Sequence, residues 1–515
     1  ALISNLQKNP ELKSALLEET PWVLQAKSEE EQKRNIALLF DLTKMSDELE
    51  ASLSKVIAMQ SSNGGFSWFK GGPDDRYITQ YIITGIGHLQ KLGAIPANFE
   101  SRLMQVVKNA IPYLDKKMKE DHDEIVKQKD KTGATVPANI AAHYLYMRSF
   151  FPQFAVNAKD KTAYNYFKTQ VKLHWTKQPV YMQGMIALTL HRAGDVQTTN
   201  AITRSLKERA ITHSELGMYW KEQTTPGYFW HQAPIETQAL MIETFSETTK
   251  DVKTVNQLRK WLLKNKQTNH WESTRATAEA VYALLLQGTD WLDDKPSVVI
   301  KAGNFTVSEA NAKAEEGTGY IKKSIEGQQV NANMGNITVA ITSGAEKNKK
   351  IPSQQVSWGA AYWQYFEDMD KVTFAETPLQ LNKKLFIEKN TDRGPVLEPV
   401  EEQGLKIGDK IKVRIELRVD RDMEYVHMKD LRASALEPVN VLSNYKWQDG
   451  LGYYESTRDA ATHFFFSYLR KGTYVFEYSL FVTHTGTFNN GITTIQSMYA
   501  PEFTSHSEGV RIRVE

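Results

Sequence analysis

Cysteine is absent from all 515 residues of the chain. This absence excludes disulfide bonds, zinc sites built from thiolates and a cysteine nucleophile within these residues. It does not identify a compartment, because a reduced cytosolic protein and a cysteine-poor exported protein both fit.

The chain also has little net charge and no long apolar run. Its 63 Lys and Arg residues nearly balance its 61 Asp and Glu residues, so the net charge is +2. A nucleic-acid-binding protein normally shows a clearly basic domain or stripe, so we expect no nucleic-acid partner. No apolar run approaches the ~20 residues that a transmembrane helix needs, so we expect no membrane span in this chain.

The start of the chain lacks the character of a signal peptide. Residues 1–8 (ALISNLQK) read like the inside of a helix-rich region. We therefore expect the chain to be part of a longer protein, with any targeting signal upstream. Because single domains usually have ~100–200 residues, we also expect two to four domains here.

The periodicity of apolar residues changes near residue 293. Before it, apolar residues recur at helical spacing, as in residues 82–89, which favours amphipathic helices. After it, apolar and polar residues alternate, as in residues 411–419 and 474–482. This alternation predicts antiparallel strands with one buried face. From about residue 375 to the end we predict about seven strands at the spacing of a β-sandwich.

The helical half repeats loosely, with one helical hairpin every 40–60 residues or so. Five helices are predicted, each with small residues beside large ones: Tyr77–Leu89, Ala138–Phe150, Met182–Arg192, Ile235–Phe245 and Thr274–Leu286. Small residues on one stripe permit close helix approach, which favours hairpins packed around a common centre, an α/α toroid. An irregular helical domain is the alternative, and periodicity alone does not separate the two.

Glycine-rich, aromatic connectors lie between these helices. One contains Gly64, Gly65 and Trp68, and two others contain Trp230 and Trp271. We predict that the glycines form turns with positive φ, and that Gly65 holds such a conformation. We interpret the tryptophans as structural plugs between hairpins, while an aromatic ligand platform is the functional alternative.

Known catalytic motifs are missing. There is no Walker loop, no paired-His metalloprotease motif and no Gly-x-Ser-x-Gly elbow. Three histidines, His213, His231 and His270, lie near Glu215, Glu236 and Glu272, and such groups could form a metal site or an acid/base pair. His231, beside Trp230, is the foremost of them. A structural histidine is the preferred interpretation, so we predict no catalytic residue, no cofactor and no metal site.

Several segments together resemble bacterial α2-macroglobulins, in the order expected for that family. The connector at residues 60–72 (QSSNGGFSWFKGG), followed by residues 76–81 (RYITQY), resembles the signature of the thioester domain. Further matching segments are residues 227–239 (GYFWHQAPIETQA), 271–281 (WESTRATAEAV), 356–366 (VSWGAAYWQYF), 429–433 (KDLRA), 486–491 (GTFNNG) and 498–503 (MYAPEF). The last three resemble the final macroglobulin domain.

The resemblance implies a multidomain α + β architecture. Residues 1–293 would form the α/α toroid of a thioester-type domain, and residues 294–372 the second half of a small CUB-like β domain. Residues 373–515 would form the C-terminal macroglobulin-like β-sandwich. These three ranges are the predicted domains.

The resemblance also implies a function. Family members are endopeptidase inhibitors: a protease cuts a bait region, the molecule collapses around it, and a thioester captures it covalently. Implied partners are target proteases, reached through the full-length protein, and cell-envelope proteins. The implied location is the periplasm, or a membrane-anchored lipoprotein. This chain departs from the pattern, because it contains neither the bait region nor the thioester cysteine; the cysteine lies upstream, or this member traps proteases without it.

Two other functions remain open at this point. One is a toroid-fold enzyme acting on glycans, and the other is an adhesion or scaffold protein of the cell envelope. A deep cleft that gathers Trp230, His231, Glu236 and Trp271 would favour the glycan enzyme. A filled centre would favour the non-enzymatic inhibitor family.

Overall fold

The computed structural model describes residues 42–132, 139–223, 227–268, 271, 273–286, 297–308, 321–342, 361–369, 371–373, 378–392, 394–400, 404–501 and 503–515. These residues form two compact units. One contains residues 46–263 and 271–342, and the other contains residues 361–515 together with 42–45 and 264–268.

Ten helices make up the helical region of the described chain. They are α1 (Leu42–Ala58), α2 (Arg76–Leu92), α3 (Ala97–Thr132), α4 (Asn139–Ser149), α5 (Lys161–His174), α6 (Val180–Arg192), α7 (Val196–Arg209), α8 (Pro234–Thr248), α9 (Val252–Thr268) and α10 (Thr274–Leu285). Two short antiparallel pairs lie between them: β1 (Phe66–Ser67) with β2 (Asp74–Asp75), and β3 (Ile211–His213) with β4 (Gly217–Tyr219).

The even-numbered helices form a closed inner ring. Each of α2, α4, α6 and α8 packs against the next, and α10 packs against α2 to close the circle. Burial agrees with this arrangement: every residue from Val180 to Leu190 of α6 is buried, whereas α5 buries only Ala163, Phe167 and Val171. A helix buried on all sides lies inside, and an amphipathic one lies outside. The five predicted helices are these inner helices, and the α/α toroid is confirmed.

The sequence explains where several inner helices begin and end. Asp75 caps α2 by accepting a hydrogen bond from the Ile78 amide, and Gly93 ends the helix in the left-handed conformation. Ser273 caps α10 in the same way through the Ala276 amide, and Pro234 opens α8 at its first position. No helix in the described part of the chain is long and apolar enough to cross a bilayer.

A small three-stranded sheet follows the ring. It contains β5 (Ser297–Ala302), β6 (Phe305–Val307) and β7 (Ile337–Thr342), in the order β6–β5–β7, with all neighbours antiparallel. Residues 361–369 have no regular secondary structure. Trp358 and Asp370, the ends of the aromatic linking segment expected from the sequence, lie outside the described residues.

The C-terminal unit is an antiparallel β-sandwich of thirteen described strands, counted from residue 379. They are β8 (Leu379–Thr391), β9 (Gly394–Pro399), β10 (Lys410–Val419), β11 (Met423–Leu431), β12 (Leu436–Pro438), β13 (Asn444–Gln448), β14 (Leu451–Thr457), β15 (Ala461–Leu469), β16 (Gly472–Val482), β17 (Gly486–Asn489), β18 (Thr493–Ser497), β19 (Thr504–His506) and β20 (Arg511–Val514). The estimate of about seven strands was wrong, because six of the strands have only three to five residues each.

The two main sheets of the sandwich share one core. One sheet has the order β12–β16–β10–β8–β9 and the other β13–β14–β15–β11–β18–β19. Side chains from both sheets, such as Ile415 and Phe476 from the first and Met428 and Phe464 from the second, belong to a single buried cluster. The alternation predicted for residues 411–419 is confirmed, since Ile411, Val413, Ile415, Leu417 and Val419 are all buried.

Candidate functional site

The first turns of the inner helices meet at one end of the ring, which we call the near end. The guanidinium of Arg275, in the first turn of α10, joins three elements there. It donates through Nε to Glu236 Oε1 of α8, through Nη1 to Tyr77 Oη of α2, and through Nη2 to the carbonyl oxygen of Trp230, each at 2.8 Å. The inner helices are therefore parallel, and one arginine holds their starting turns together.

Aromatic rings surround this arginine. The Tyr77 ring lies 4.9 Å from the Trp230 ring and 6.0 Å from the Trp68 ring, with which it is stacked at 24°. His143 of α4 packs beside Tyr77 and Trp230 at 5.6 and 5.4 Å. Burial lowers the pKa of His143 to about 3, so its imidazole is neutral at physiological pH. Trp68 is the rim of this cluster, because 63% of it is exposed.

The connector at residues 60–75 positions Trp68 on the rim. Its β1–β2 hairpin is fixed by Asp74, whose two carboxylate oxygens accept hydrogen bonds from Ser61 Oγ at 2.5 Å and Asn63 Nδ2 at 2.6 Å. The prediction of positive φ at Gly65 was wrong. The left-handed residue is Gly64, with φ of +91°, and Gly65 is instead required because a Cβ there would lie 2.9 Å from the Asp74 side chain.

Gly64 offers a test of the connector, because Gly71 in the same connector is a matched control. Both have positive φ. A Cβ added to Gly64 would lie 2.1 Å from the Asn109 carbonyl oxygen, whereas a Cβ added to Gly71 would have no neighbouring atom within 4 Å among the described residues, its chain neighbours aside. We expect Gly64→Ala to lower the free energy of unfolding by about 2–3 kcal/mol and Gly71→Ala by about 1 kcal/mol. Urea unfolding of both variants measures this. Equal losses would show that the Asn109 contact does not constrain the turn.

A depression of about 550 Å³ borders the near end. It is lined by Asn139, Ile140, Phe229, Trp230, His231 and Gln232. Burial lowers the pKa of His231, and its Nδ1 is sealed from solvent without a hydrogen bond in the described structure. Trp68, Trp230 and Glu236 thus converge at the near end, with His231 on the adjoining rim.

Trp271 does not join this group. It packs on the apolar core of the helical region, and its Nε1 is buried without a partner among the described residues. No ring contact or hydrogen bond between described residues links it to Trp230, His231 or Glu236. The structure therefore has a shallow depression beside an arginine-filled ring end, and not the deep four-residue cleft that would favour a glycan enzyme.

Charged groups also occupy the other end of the ring, which we call the far end. There the carboxylate of Glu243 on α8 is 1% exposed and accepts hydrogen bonds from Lys91 at 2.9 Å, Arg192 at 2.7 Å and Tyr282 at 2.9 Å. Glu247, one turn later, also binds both Lys91 and Arg192. The group joins four inner helices at this end of the ring.

Sequence reasoning did not find Arg275, Tyr77 or Glu279, nor the far-end group. A usable signal was present in two cases. Arg275 and Glu279 are four residues apart in an alanine-rich helix start, which places both on one face, and Glu243 lies inside an otherwise buried helix. A charged residue within an inner helix has to find a partner across the ring.

Two family models match the chain. The model described as the A-macroglobulin TED domain matches residues 30–286, and that described as the bacterial alpha-2-macroglobulin MG10 domain matches residues 379–502. The matched ranges together cover about three quarters of the chain, in the order expected from the resembling segments. No curated protein matches it.

Solved structures of bacterial alpha-2-macroglobulins are similar to the chain at low identity. The trypsin-activated Escherichia coli protein is 14% identical, with 90% of this chain and 29% of that chain covered and a TM-score of 0.40. The Escherichia coli protein activated by porcine elastase is 15% identical, with 92% of this chain and 39% of that chain covered and a TM-score of 0.37. The methylamine-reacted Salmonella protein is 14% identical, with 88% of this chain and 27% of that chain covered and a TM-score of 0.31. The chain thus spans about a third of the length of these structures, and the family assignment rests on the two family models.

Proposed function

Because the chain belongs to the bacterial α2-macroglobulin family, we propose that it is part of an endopeptidase inhibitor that entraps proteases by conformational change. The observation that carries this proposal is the succession of a matched toroid and a matched sandwich in one chain. The function of the whole protein would depend on regions beyond these residues, including a bait region. The chain itself would have no enzymatic activity.

The proposed domains are residues 1–293, 294–372 and 373–515. The family matches support the first and the last of these domains, since the TED match ends at residue 286 and the MG10 match begins at residue 379. The small sheet supports the middle one as half of a CUB-like domain. Its strand β7 exposes Ile337 and Val339, at 47% and 55%, so this side of the sheet has no covering layer in the described chain. Apolar side chains of this kind would be covered by the other half of the domain.

Capture by these residues would be non-covalent. A covalent thioester needs a cysteine, and the range matched to the TED domain contains none. The toroid and sandwich would then hold a protease sterically, after the bait region of the whole protein is cut. Target proteases and envelope proteins are the proposed partners, and the proposed location is the periplasm or a lipoprotein anchored to a membrane facing it.

Trypsin provides the test. We expect the full-length protein to reduce trypsin cleavage of a large protein substrate while leaving cleavage of a small chromogenic peptide nearly unchanged. SDS and methylamine distinguish the two cases for the thioester: a complex that survives SDS and is prevented by methylamine pretreatment requires a cysteine outside these residues, whereas a complex that dissociates in SDS is captured without one. The isolated 515-residue chain should change neither activity.

The outcomes separate the alternatives. Inhibition by the isolated chain would contradict the need for a bait region, and an SDS-stable complex formed by the isolated chain would contradict non-covalent capture by these residues. Full activity of trypsin on both substrates, with the full-length protein present, would instead favour an adhesion or scaffold role.

A further inference from the structure

The strand β13 is an open edge of the sandwich. It stands at one end of the six-stranded sheet, and β14 is the only described strand that pairs with it. Its side chains Tyr445 and Trp447 are 59% and 80% exposed, and Val441 and Leu442, just before the strand, are exposed as well. An edge of this kind offers a partner both unpaired backbone groups and an apolar surface.

The other edges of the two main sheets have features that prevent pairing. In the five-stranded sheet, the edge strand β9 contains Pro395 and Pro399, whose nitrogens cannot donate hydrogen bonds. The opposite edge strand, β12, has three residues and ends in Pro438. At the other edge of the six-stranded sheet, β19 also has only three residues. Short strands and prolines commonly protect an edge, and β13, with five residues and no proline, has neither protection.

The one charged residue of β13 is already paired. Lys446 donates to Glu455 of β14 at 2.6 Å, and that carboxylate is nearly inaccessible to solvent. A lysine on an edge strand usually discourages pairing through its charge. Here the charge is offset within the β13–β14 hairpin, so it does not protect the edge.

The hairpin holds this edge in a fixed, extended conformation. Its turn residues Asp449 and Gly450 have φ of +51° and +77°, as in a type I′ turn. The Gln448 side chain donates to a backbone carbonyl oxygen of β16 in the facing sheet. The Trp447 ring lies beside Gly452, where an added Cβ would be 3.2 Å from the ring. A preformed edge loses little conformational entropy when a partner strand pairs with it.

The turn also determines which backbone groups of β13 point outward. The two residues that flank a two-residue turn of this type form a hydrogen-bonded pair, here Gln448 and Leu451. Hydrogen-bonded and non-hydrogen-bonded pairs alternate from there, so Trp447 and Tyr445 are in non-hydrogen-bonded pairs with β14. Their N–H and C=O groups therefore point away from the sheet. The residues with the exposed rings are thus the ones with free backbone groups.

We propose that this edge pairs with the same edge of a second copy of the chain, antiparallel and centred on Lys446. In this register Tyr445 lies opposite Trp447 of the second copy, and Trp447 lies opposite its Tyr445. Each pair exchanges two hydrogen bonds through the outward backbone groups and brings two aromatic rings together. Within β13, this is the only two-fold register that uses the outward groups of both residues. The two Lys446 side chains meet at the axis, each with its own Glu455 partner.

The exposed surface is large enough for a weak dimer. Burying two aromatic and two aliphatic side chains in each copy removes on the order of 1,000 Å² from solvent in total, the lower limit for a specific interface. An extended segment of another protein is the competing occupant, because it can use the same outward groups. A second copy is favoured, because it carries the matching aromatic side chains at the matching positions.

Sedimentation equilibrium of the 515-residue chain from about 1 to 500 µM tests the proposal. We expect a monomer–dimer equilibrium with a dissociation constant of about 100 µM or lower. Trp447→Ala removes a ring, and Tyr445→Pro removes an outward N–H while leaving the hydrogen bonds to β14; each should weaken association at least about tenfold. Ile407→Ala, a matched control at another exposed apolar side chain of the sandwich, should leave it unchanged.

Two results of this experiment would overturn the proposal. One is a chain that stays monomeric at about 500 µM. The other is a dimer that Trp447→Ala and Tyr445→Pro do not weaken. Trp447-dependent binding of reduced carboxymethylated α-lactalbumin by a monomeric chain would make the edge a peptide-docking strand, and so refute pairing between copies.

Single cysteines test the register, because the chain contains no other cysteine. Asn444 lies opposite Gln448 of the second copy, in a non-hydrogen-bonded pair whose Cα atoms are about 4.5 Å apart, a separation that a disulfide can bridge. A mixture of Asn444→Cys and Gln448→Cys chains should therefore form a disulfide-linked dimer under mild oxidation. Either variant alone should not, because its two cysteines would be more than about 10 Å apart. Equal cross-linking in the mixture and in the single variants would contradict the register.

Discussion

Asp430→Ala is expected to lower the free energy of unfolding of the sandwich by about 3–5 kcal/mol. Asp430 on β11 and Lys383 on β8 form an ion pair of 2.6 Å between the two sheets, with side chains only 0% and 1% exposed. Thr493 donates to the same carboxylate at 2.6 Å, Tyr478 donates to its other oxygen, and the ammonium donates to the Leu431 carbonyl at 2.7 Å. Removing the aspartate leaves a buried ammonium without its counter-charge, and this desolvated charge accounts for the loss.

Hydrogen exchange is measured for peptides from the sandwich strands over a series of urea concentrations. It reports the unfolding free energy of the sandwich separately from that of the toroid. The matched control is Glu398→Ala, which breaks the 2.6 Å pair with Lys389 on the sandwich surface, where both side chains are more than a third exposed. That change should cost no more than about 1 kcal/mol. The double variant Lys383→Met/Asp430→Leu should recover most of the stability, because apolar groups of similar volume replace the pair. Similar losses for Asp430→Ala and Glu398→Ala would contradict this account.

The pattern of burial explains why most of the fold could be predicted from the sequence. The inner helices place glycines at two close contacts: a Cβ on Gly87 would lie 2.7 Å from the Phe150 ring, and one on Gly184 would lie 2.4 Å from Met241. Those small residues are the signal that indicated helices packed around one centre. The long strands β10 and β16 could be predicted because one side of each faces the core and the other faces away from it.

Irregular strands could not be predicted in this way. In β11 the buried core positions Met423, Val426 and Met428 do not alternate regularly, and Tyr425 between the first two adopts a φ of +54°. This left-handed residue interrupts the alternation on which strand prediction depends. Lys383 shows a signal that could have been used: it occupies an inward position in the alternation of β8, between Leu381 and Leu385. A lysine at such a position requires a buried partner.

The near-end site depends on contacts that local sequence does not contain. Arg275 binds a tyrosine 198 residues earlier in the chain and a carbonyl oxygen 45 residues earlier. Trp68, Trp230 and Glu236 could be selected because they occur in aromatic connectors or beside them. Their convergence follows from closure of the ring, which brings α10 against α2. Trp271 belongs to the same kind of connector, yet it packs against the core, so composition alone did not separate the near-end tryptophans from this one.

Glu243→Ala is expected to lower the free energy of unfolding of the toroid by about 3–5 kcal/mol. Its carboxylate is the common acceptor for Arg192 and Lys91, whose side chains are 13% and 28% exposed, and for the hydroxyls of Tyr146 and Tyr282. Removing it leaves two cations sharing Glu247, the Tyr282 hydroxyl without an acceptor and the Tyr146 hydroxyl with His88 Nε2, at 3.0 Å, as its partner. Glu247→Ala is the matched control, because that side chain is 22% exposed and Glu243 remains to bind both cations. It should cost about 1 kcal/mol.

The pH dependence of the same variants distinguishes the charge of Glu243 from its packing. Burial alone would raise the pKa of Glu243, but the charges of Arg192 and then Lys91 outweigh it and hold this pKa well below its usual range. A carboxylate with a depressed folded-state pKa contributes stability above its unfolded pKa of about 4.3 and loses that contribution as the pH falls toward the folded value. Glu243→Gln keeps the shape and removes the charge. The difference in unfolding free energy between the unmodified chain and Glu243→Gln should therefore shrink below about pH 4.5. Urea unfolding at each pH measures it. Burial lowers the pKa of His88 to about 4 and raises that of Glu279 to about 8, and the Glu243 charge raises both, so the titrations of these two groups differ between the proteins and contribute to the difference. A difference that does not change down to about pH 3 would mean that the far end is held by packing and hydrogen bonds, with no contribution from its ion pairs.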